Sequence, residues 1–246
     1  MVIQVFDSFA YASIVGMMLY LAGHSRPDIT YSVSQVARFT FCPKRSHEAG
    51  LKFICRYLIG SRNKGLIITA TRDLNIDAYP DTDFAGLYNY EEHNYPICVQ
   101  SRTVFVINFS GCPIFWDSHI QTETATITMQ SEVIYLAACC RELIPIIAMV
   151  DEVGAAVGLT HSENPKMHVY IHKDNACVLV LYQTLPPQFT PASKHYAVKT
   201  HWFREQCVDL GIVIQNILTT EQLVDICTKC LPVATFQYLR NKLMGW

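Results

Sequence analysis

What the chain has little of narrows its class first. Only 16% of the residues are charged, half are hydrophobic, and Gly and Pro stand at 11 each in 246 residues. Such a chain is not disordered, collagenous or of low complexity, and at this length it can bury enough surface to fold without staples. The nearest thing to a membrane signal is Phe9–Ala22, which follows Asp7 rather than Lys or Arg and is too short to span. It reads as a buried helix. The ten cysteines lack the regular framework of a small secreted scaffold and read as mostly reduced thiols of a cytosolic or nuclear protein. No repeat is visible, and Gly-x-Ser-x-Gly is absent.

Charge is distributed unevenly. Residues 1–70 carry a net +5, residues 71–100 a net −5, and the remainder a net −2, which is also the total. A basic first third can meet phosphate, but a net-negative whole argues against strong autonomous binding of nucleic acid.

The first seventy residues have helical periodicity. Tyr11–Ala22 is apolar nearly throughout, Ile29, Val33, Val36 and Ala37 share a face, and so do Leu51, Ile54, Cys55 and Leu58 behind a Ser46 cap. After Gly65 the period shortens. Strands are expected at Leu66–Ala70, Leu74–Tyr79, Thr103–Phe109 and Pro113–Trp116, with a turn at Ser110-Gly111. Helix Glu132–Val150, ended or kinked at Pro145, strand Lys166–His172, helical Asn175–Leu181 and strand Gly211–Leu218 follow. A short helix capped by Thr220 and a last one over Ala234–Leu243 complete the chain. The pattern is a mixed α/β sheet with packed helices.

Four acids stand where the pattern does not need them: Asp81 after a strand, Glu132 opening the long helix, Asp174 after the next strand, and Asp225 in the short C-terminal helix. Singly, each is an ordinary turn or helix-dipole residue. Together, at one sheet edge, four carboxylates can hold two Mg²⁺ ions roughly 3.5–4 Å apart and act on a phosphodiester. Lys194, His195, Lys199, His201 and Arg204 interleave with Trp202 and Phe203, the composition of a nucleic-acid-facing surface or of a solvated basic helix face. Cys227 and Cys230 have the spacing of half a zinc site but no second pair, and Cys139-Cys140 reads as core.

Nine segments in order carry a resemblance: YLAGHSRPDITYSV (20–33), SHEAGLKFICRYL (46–58), DAYPDTDFAG (77–86), SRTVFVINFSGCPIFW (101–116), TMQSEVIYLAACCRELIP (128–145), VYIHKDNACVLV (169–180), SKHYAVKTHWFRE (193–205), TTEQLVDICTKCLP (219–232) and YLRNKLMGW (238–246). The chain resembles the C-terminal end of the Pol polyprotein of copia-type retrotransposons. The resemblance implies a helical remnant of reverse transcriptase over residues 1–65, lying after the polymerase palm. It further implies a ribonuclease H-like domain over 66–246, with a mixed five-stranded sheet flanked by helices. By the same resemblance the domain would cut the RNA strand of an RNA–DNA hybrid with two Mg²⁺ ions, Mn²⁺ substituting. Its ligands would be Asp81, Glu132, Asp174 and Asp225, with His195 aiding product release and Asn175, Lys194, Lys199 and Arg204 near the nucleic acid. Anchoring on CCRELIP places the family's glutamate on Glu132; anchoring on Tyr135 would place Ile134 there, and the first keeps SE and CCRELIP in one ungapped run.

Tyr135 stands where the family usually has a small residue, and Asp117 where polar uncharged residues are common. No counterpart of the palm is present, so polymerase activity is not expected. The expected partner is an RNA–DNA hybrid, with the rest of a retrotransposon polymerase as a further candidate, no membrane, and no obligate protein partner. The location would be a cytoplasmic particle or the nucleus, not the exterior. The alternative is a catalytically inactive relic with at most weak nucleic-acid binding.

Overall fold

A computed structural model describes residues 10–71, 73–88, 96–125, 127–158, 167–174 and 194–246; of residues 96 and 194–196 it describes the backbone. Tyr11, Val15, Met18 and Ala22 recur every three or four positions and form the buried face of α1 (Tyr11–His24). That face packs on Val33 and Val36 of α2 (Thr30–Ala37) and on Leu51 and Ile54 of α3 (Arg45–Gly60). Ser46 does not cap α3. The helix begins one residue earlier, with Lys44 at the cap and His47 Nδ1 accepting the Lys44 N–H at 3.0 Å.

The sheet holds β1 (Ile76–Asp83), β2 (Arg102–Phe109), β3 (Cys112–Ile120), β4 (Val169–Lys173) and β5 (Val213–Asn216) in the order β3-β2-β1-β4-β5. The first three pair antiparallel, and β1, β4 and β5 run parallel. Ser110 and Gly111 connect β2 to β3 with φ of 50° and 78°, the two left-handed residues that a tight hairpin turn needs. Phe105 and Ile107 point from β2 toward α4 (Thr128–Ala156) and α5 (Lys194–Asp209). Val104 and Val106 point the other way, toward α6 (Asp225–Thr228) and α7 (Val233–Met244). A strand covered on both faces reads as continuously apolar, as β2 does.

Several elements differ from the sequence expectation. Leu66–Ala70 is not a strand: Ile67 N–H donates to Met244 O at 3.0 Å and the Trp246 indole to Gly65 O at 2.9 Å, so the segment braces the C-terminal helix instead of joining the sheet. Pro145 neither ends nor divides α4, which is continuous over 29 residues. By length and composition α4 could cross a membrane, yet its apolar stripe (Leu136, Cys139, Leu143, Ile147) is buried against the sheet. The expected helix at Asn175–Leu181 lies outside the described residues. Thr220 falls inside a separate turn of 3₁₀-helix, Thr219–Glu221, ahead of α6.

β1 runs four residues past its expected end, through Pro80, so Asp81 sits within the strand rather than after it. Ile76 N–H donates to His168 O at 2.9 Å. Strand alternation therefore aims the backbone of position 80 at β4 as well, where proline has no N–H to give. Pairing with β4 stops at Ala78 while pairing with β2 continues to Asp83. The two parallel strands part there. Asp81 and Asp174 stand at that opening.

Candidate active site

In β4 the buried positions alternate, Val169, Ile171, Lys173, so the strand period itself carries a lysine inward. Lys173 is 2% exposed. Its Nζ lies 3.0 Å from Asp81 Oδ1 and 3.4 Å from Asp174 Oδ1, bridging the ends of the diverging strands. It also stands 5.0 Å from the centre of the Tyr135 ring, within cation–π range.

Tyr135 is fully buried and its hydroxyl has no hydrogen-bond partner among the described residues. Burial pushes its phenol well up, and the charges of Glu132, Asp81 and Asp174 push the same way. Glu132, one turn earlier on α4, is itself buried. Tyr135 thus faces Lys173 between Asp81 and Asp174, with Glu132 one turn away on the same helix. Ile134 lies elsewhere, in a separate groove with Thr103, Gln121 and Lys199.

Asp225 opens α6 on the other side of the sheet and hydrogen-bonds Lys229 one turn on, at 2.8 Å. Burial raises its carboxyl above the usual range; Lys229 opposes this, and Asp81 and Asp174 add to it. Burial works against the Lys229 ammonium, but Asp225, with the charges of Asp81 and Asp174, outweighs it and holds that pKa up. Asp83 is also raised, by burial first, against Arg102, with Asp81 contributing. Of the four acids named from the sequence, Asp81 and Asp174 thus bear on Asp225, while Glu132 bears on Tyr135.

All-carboxylate donors suit a hard divalent ion in kind. In their present arrangement they do not fit one. Asp81, Asp174 and Asp225 each have a lysine ammonium against an oxygen, and among the described residues no three His, Cys, Asp or Glu are grouped to hold a metal.

The basic stretch is only partly placed. Lys199 on α5 is engaged by Glu123 at 2.6 Å, and Arg204 is half-buried on the same helix. Asn175 and the side chains of Lys194 and His195 lie outside the described residues. His172 takes no part in the carboxylate site. It sits on the opposite face of β4 from Lys173, 2.7 Å from Asp77 and stacked on Tyr79 at 4.6 Å. Lys173 and Lys229 are the residues paired with these acids that the motif reading passed over. Strand alternation pointed to the first, and the i,i+4 spacing from Asp225 to the second.

No family model matches the chain. It is 30% identical over 237 residues to the retrovirus-related Pol polyprotein from transposon RE1 of Arabidopsis thaliana, covering 96% of this chain and 15% of that protein. It is 29% identical to the corresponding polyprotein from transposon TNT 1-94 of Nicotiana tabacum, covering 96% of this chain and 16% of that one. The chain thus spans about a sixth of the length of these curated relatives. Among solved structures, the LC11 ribonuclease H1 isolated from compost has 14% identity and a TM-score of 0.37, over 70% of this chain and 96% of that one.

The strand order, the mixed pairing and the helices on both faces define a ribonuclease H-like fold preceded by a helical segment. The relatives that run along nearly the whole chain are transposon Pol proteins. Over nearly its whole length the chain is a homologue of the Pol proteins of copia-type retrotransposons.

Proposed function

We propose that this chain is a ribonuclease H-type module directed at RNA–DNA hybrids, with Asp81, Glu132, Asp174 and Asp225 as the centre that meets the RNA strand. One observation carries the reading: Asp81 of β1 and Asp174 at the end of β4 meet at one buried ammonium where the two strands part, under the Tyr135 ring one turn from Glu132. Acids separated by up to 144 positions have no packing reason to gather at one edge. The family resemblance read in the sequence supplies the substrate class, and a hybrid would be recognised by its shape and 2′-hydroxyls rather than by base sequence.

A second reading, binding without cutting, is favoured by the Lys173 ammonium between Asp81 and Asp174. The test is a labelled hybrid beside duplex DNA, with Mg²⁺ or Mn²⁺, scoring both cleavage and retention. Cleavage by the full chain that disappears in Asp81→Asn and Asp174→Asn supports the nuclease. Hybrid retention without cleavage supports the second reading. Folded protein that neither retains nor cuts the hybrid sinks the proposal.

A further inference from the structure

We propose that Lys173 is a resident counter-cation, a tethered ammonium standing where a divalent ion would neutralise Asp81 and Asp174, so that the wild-type chain binds divalent ions weakly. The inference rests on the proposed carboxylate centre but concerns how that centre is kept neutral.

A lysine 2% exposed survives burial only with its charge compensated, and here the compensation comes from two strands at once. Asp81 arrives from β1 and Asp174 from the residue after β4, at 3.0 and 3.4 Å. The Tyr135 ring covers the ammonium at 5.0 Å, and the ring's own hydroxyl, fully buried, finds no partner among the described residues.

A Mg²⁺ ion needs those same carboxylate oxygens at about 2.0–2.1 Å. It cannot take them while the ammonium is seated on them. The contest is uneven, because Lys173 is already part of the chain and loses no translational freedom on binding. An ion from solution loses that freedom and part of its hydration as well. Single-charge compensation by a lysine also leaves Asp225 to be neutralised separately, and Lys229 does so at 2.8 Å.

The experiment is Mn²⁺ binding to the full chain, followed by electron paramagnetic resonance of free Mn²⁺ and by thermal melting with Mn²⁺ or with chelator. Lys173→Met keeps most of the buried stem and removes the charge. The expected result is at least about tenfold tighter Mn²⁺ binding than wild type, a lower melting temperature in chelator, and recovery on adding Mn²⁺. The double variant Lys173→Met/Asp81→Asn should lose the gain, and Lys173→Arg, which keeps a cation, should show none. Lys173→Gln reads the same quantity should the methionine variant fail to fold. Equal Mn²⁺ affinity in wild type and the neutral variants overturns the inference, as does tight wild-type binding abolished by Asp81→Asn. The two ideas fail separately. Gained Mn²⁺ binding with no hybrid retention or cleavage in any variant sinks the proposed function alone, and hybrid retention with unchanged Mn²⁺ affinity sinks the counter-cation alone.

Discussion

The Trp116 indole N–H, on the outermost strand β3, donates to the Ala22 carbonyl of α1 at 2.6 Å. The N-terminal helices thus lie against the edge of the sheet, and other contacts follow the same seam. Arg102 Nη1 donates to Ser34 Oγ at 3.0 Å, Cys227 Sγ to Pro27 O at 3.5 Å, and the Tyr57 and Phe236 rings meet edge-on at 6.0 Å. An uncovered edge and apolar face invite association. Residues 66–246 expressed alone should therefore be less soluble than the full chain and melt at a lower temperature. Light scattering and thermal melting of the two proteins check this; equal behaviour would show that the helices protect nothing.

A buried ion pair fixes the corner between those helices and the C-terminus. Arg26 grips Asp28 through Nε and Nη2 at 2.9 and 2.8 Å, and the same Nη2 reaches Ser61. The Asp28 side chain is fully buried and that of Arg26 is 8% exposed. Removing one partner strands the other's charge, so Asp28→Ala should lose about 3–5 kcal/mol in urea unfolding. A loss of under about 1 kcal/mol would mean that water reaches Arg26.

Tyr57 donates to Asp28 at 2.5 Å. Burial first, and then Asp28, push its phenol from 10.0 up to about 12. A raised folded pKa means that the stability from the neutral phenol is complete below the unfolded value of 10.0 and is lost as pH climbs through about 12. Across that alkaline window Tyr57→Phe should lose less stability than wild type, while being the weaker protein at neutral pH. Denaturant midpoints measured from pH 8 to pH 12 decide it, and parallel curves would refute the assignment.

Much of the fold was legible because its signals are local. The apolar period of α1, the continuous apolar run of β2 and the Ser110-Gly111 turn need no knowledge of distant partners. Leu66–Ala70 misled for the converse reason: its composition is that of a strand, but its backbone partners are Met244 and Trp246, far along the chain. Pro80 misled too, since proline is poor in a central strand unless a neighbour's pairing has already ended, as it has beyond Ala78. At the site, spacing named the acids only as candidates, and the resemblance chose among them. Lys173 escaped because a charge at a strand end reads as solvated; its burial depends on Asp81 arriving from β1 to join its own neighbour Asp174.

The cysteines should divide sharply by reactivity. Cys42 and Cys230 are exposed, whereas Cys139, Cys140 and Cys227 are buried. Burial raises the Cys139 and Cys227 thiols far above the ordinary range, and the Cys207 hydrogen bond, then burial, does so for Cys140. The thiolate is the reacting form. An alkylating reagent at pH 8 should label Cys42 and Cys230 in the native protein and the three buried thiols only after denaturant, as read by peptide mass. Rapid native labelling of Cys227 would contradict its burial and reopen the Cys227–Cys230 pair as a ligand site.

Tyr135 combines two effects that oppose each other in energy. Its ring fills the core beneath Lys173, among the residues that bind the sheet to α4, while its hydroxyl is buried without a hydrogen bond. A polar group left so costs about 1–3 kcal/mol. Tyr135→Phe keeps the ring, its packing and its face toward the ammonium, and removes only the orphaned hydroxyl. It should therefore stabilise the chain by about 1 kcal/mol. Tyr135→Ala would free space beside Glu132 but leave a cavity, at a loss of about 3–5 kcal/mol. Guanidinium midpoints at neutral pH separate the cases. A phenylalanine variant weaker than wild type would show that the hydroxyl is bonded in solution.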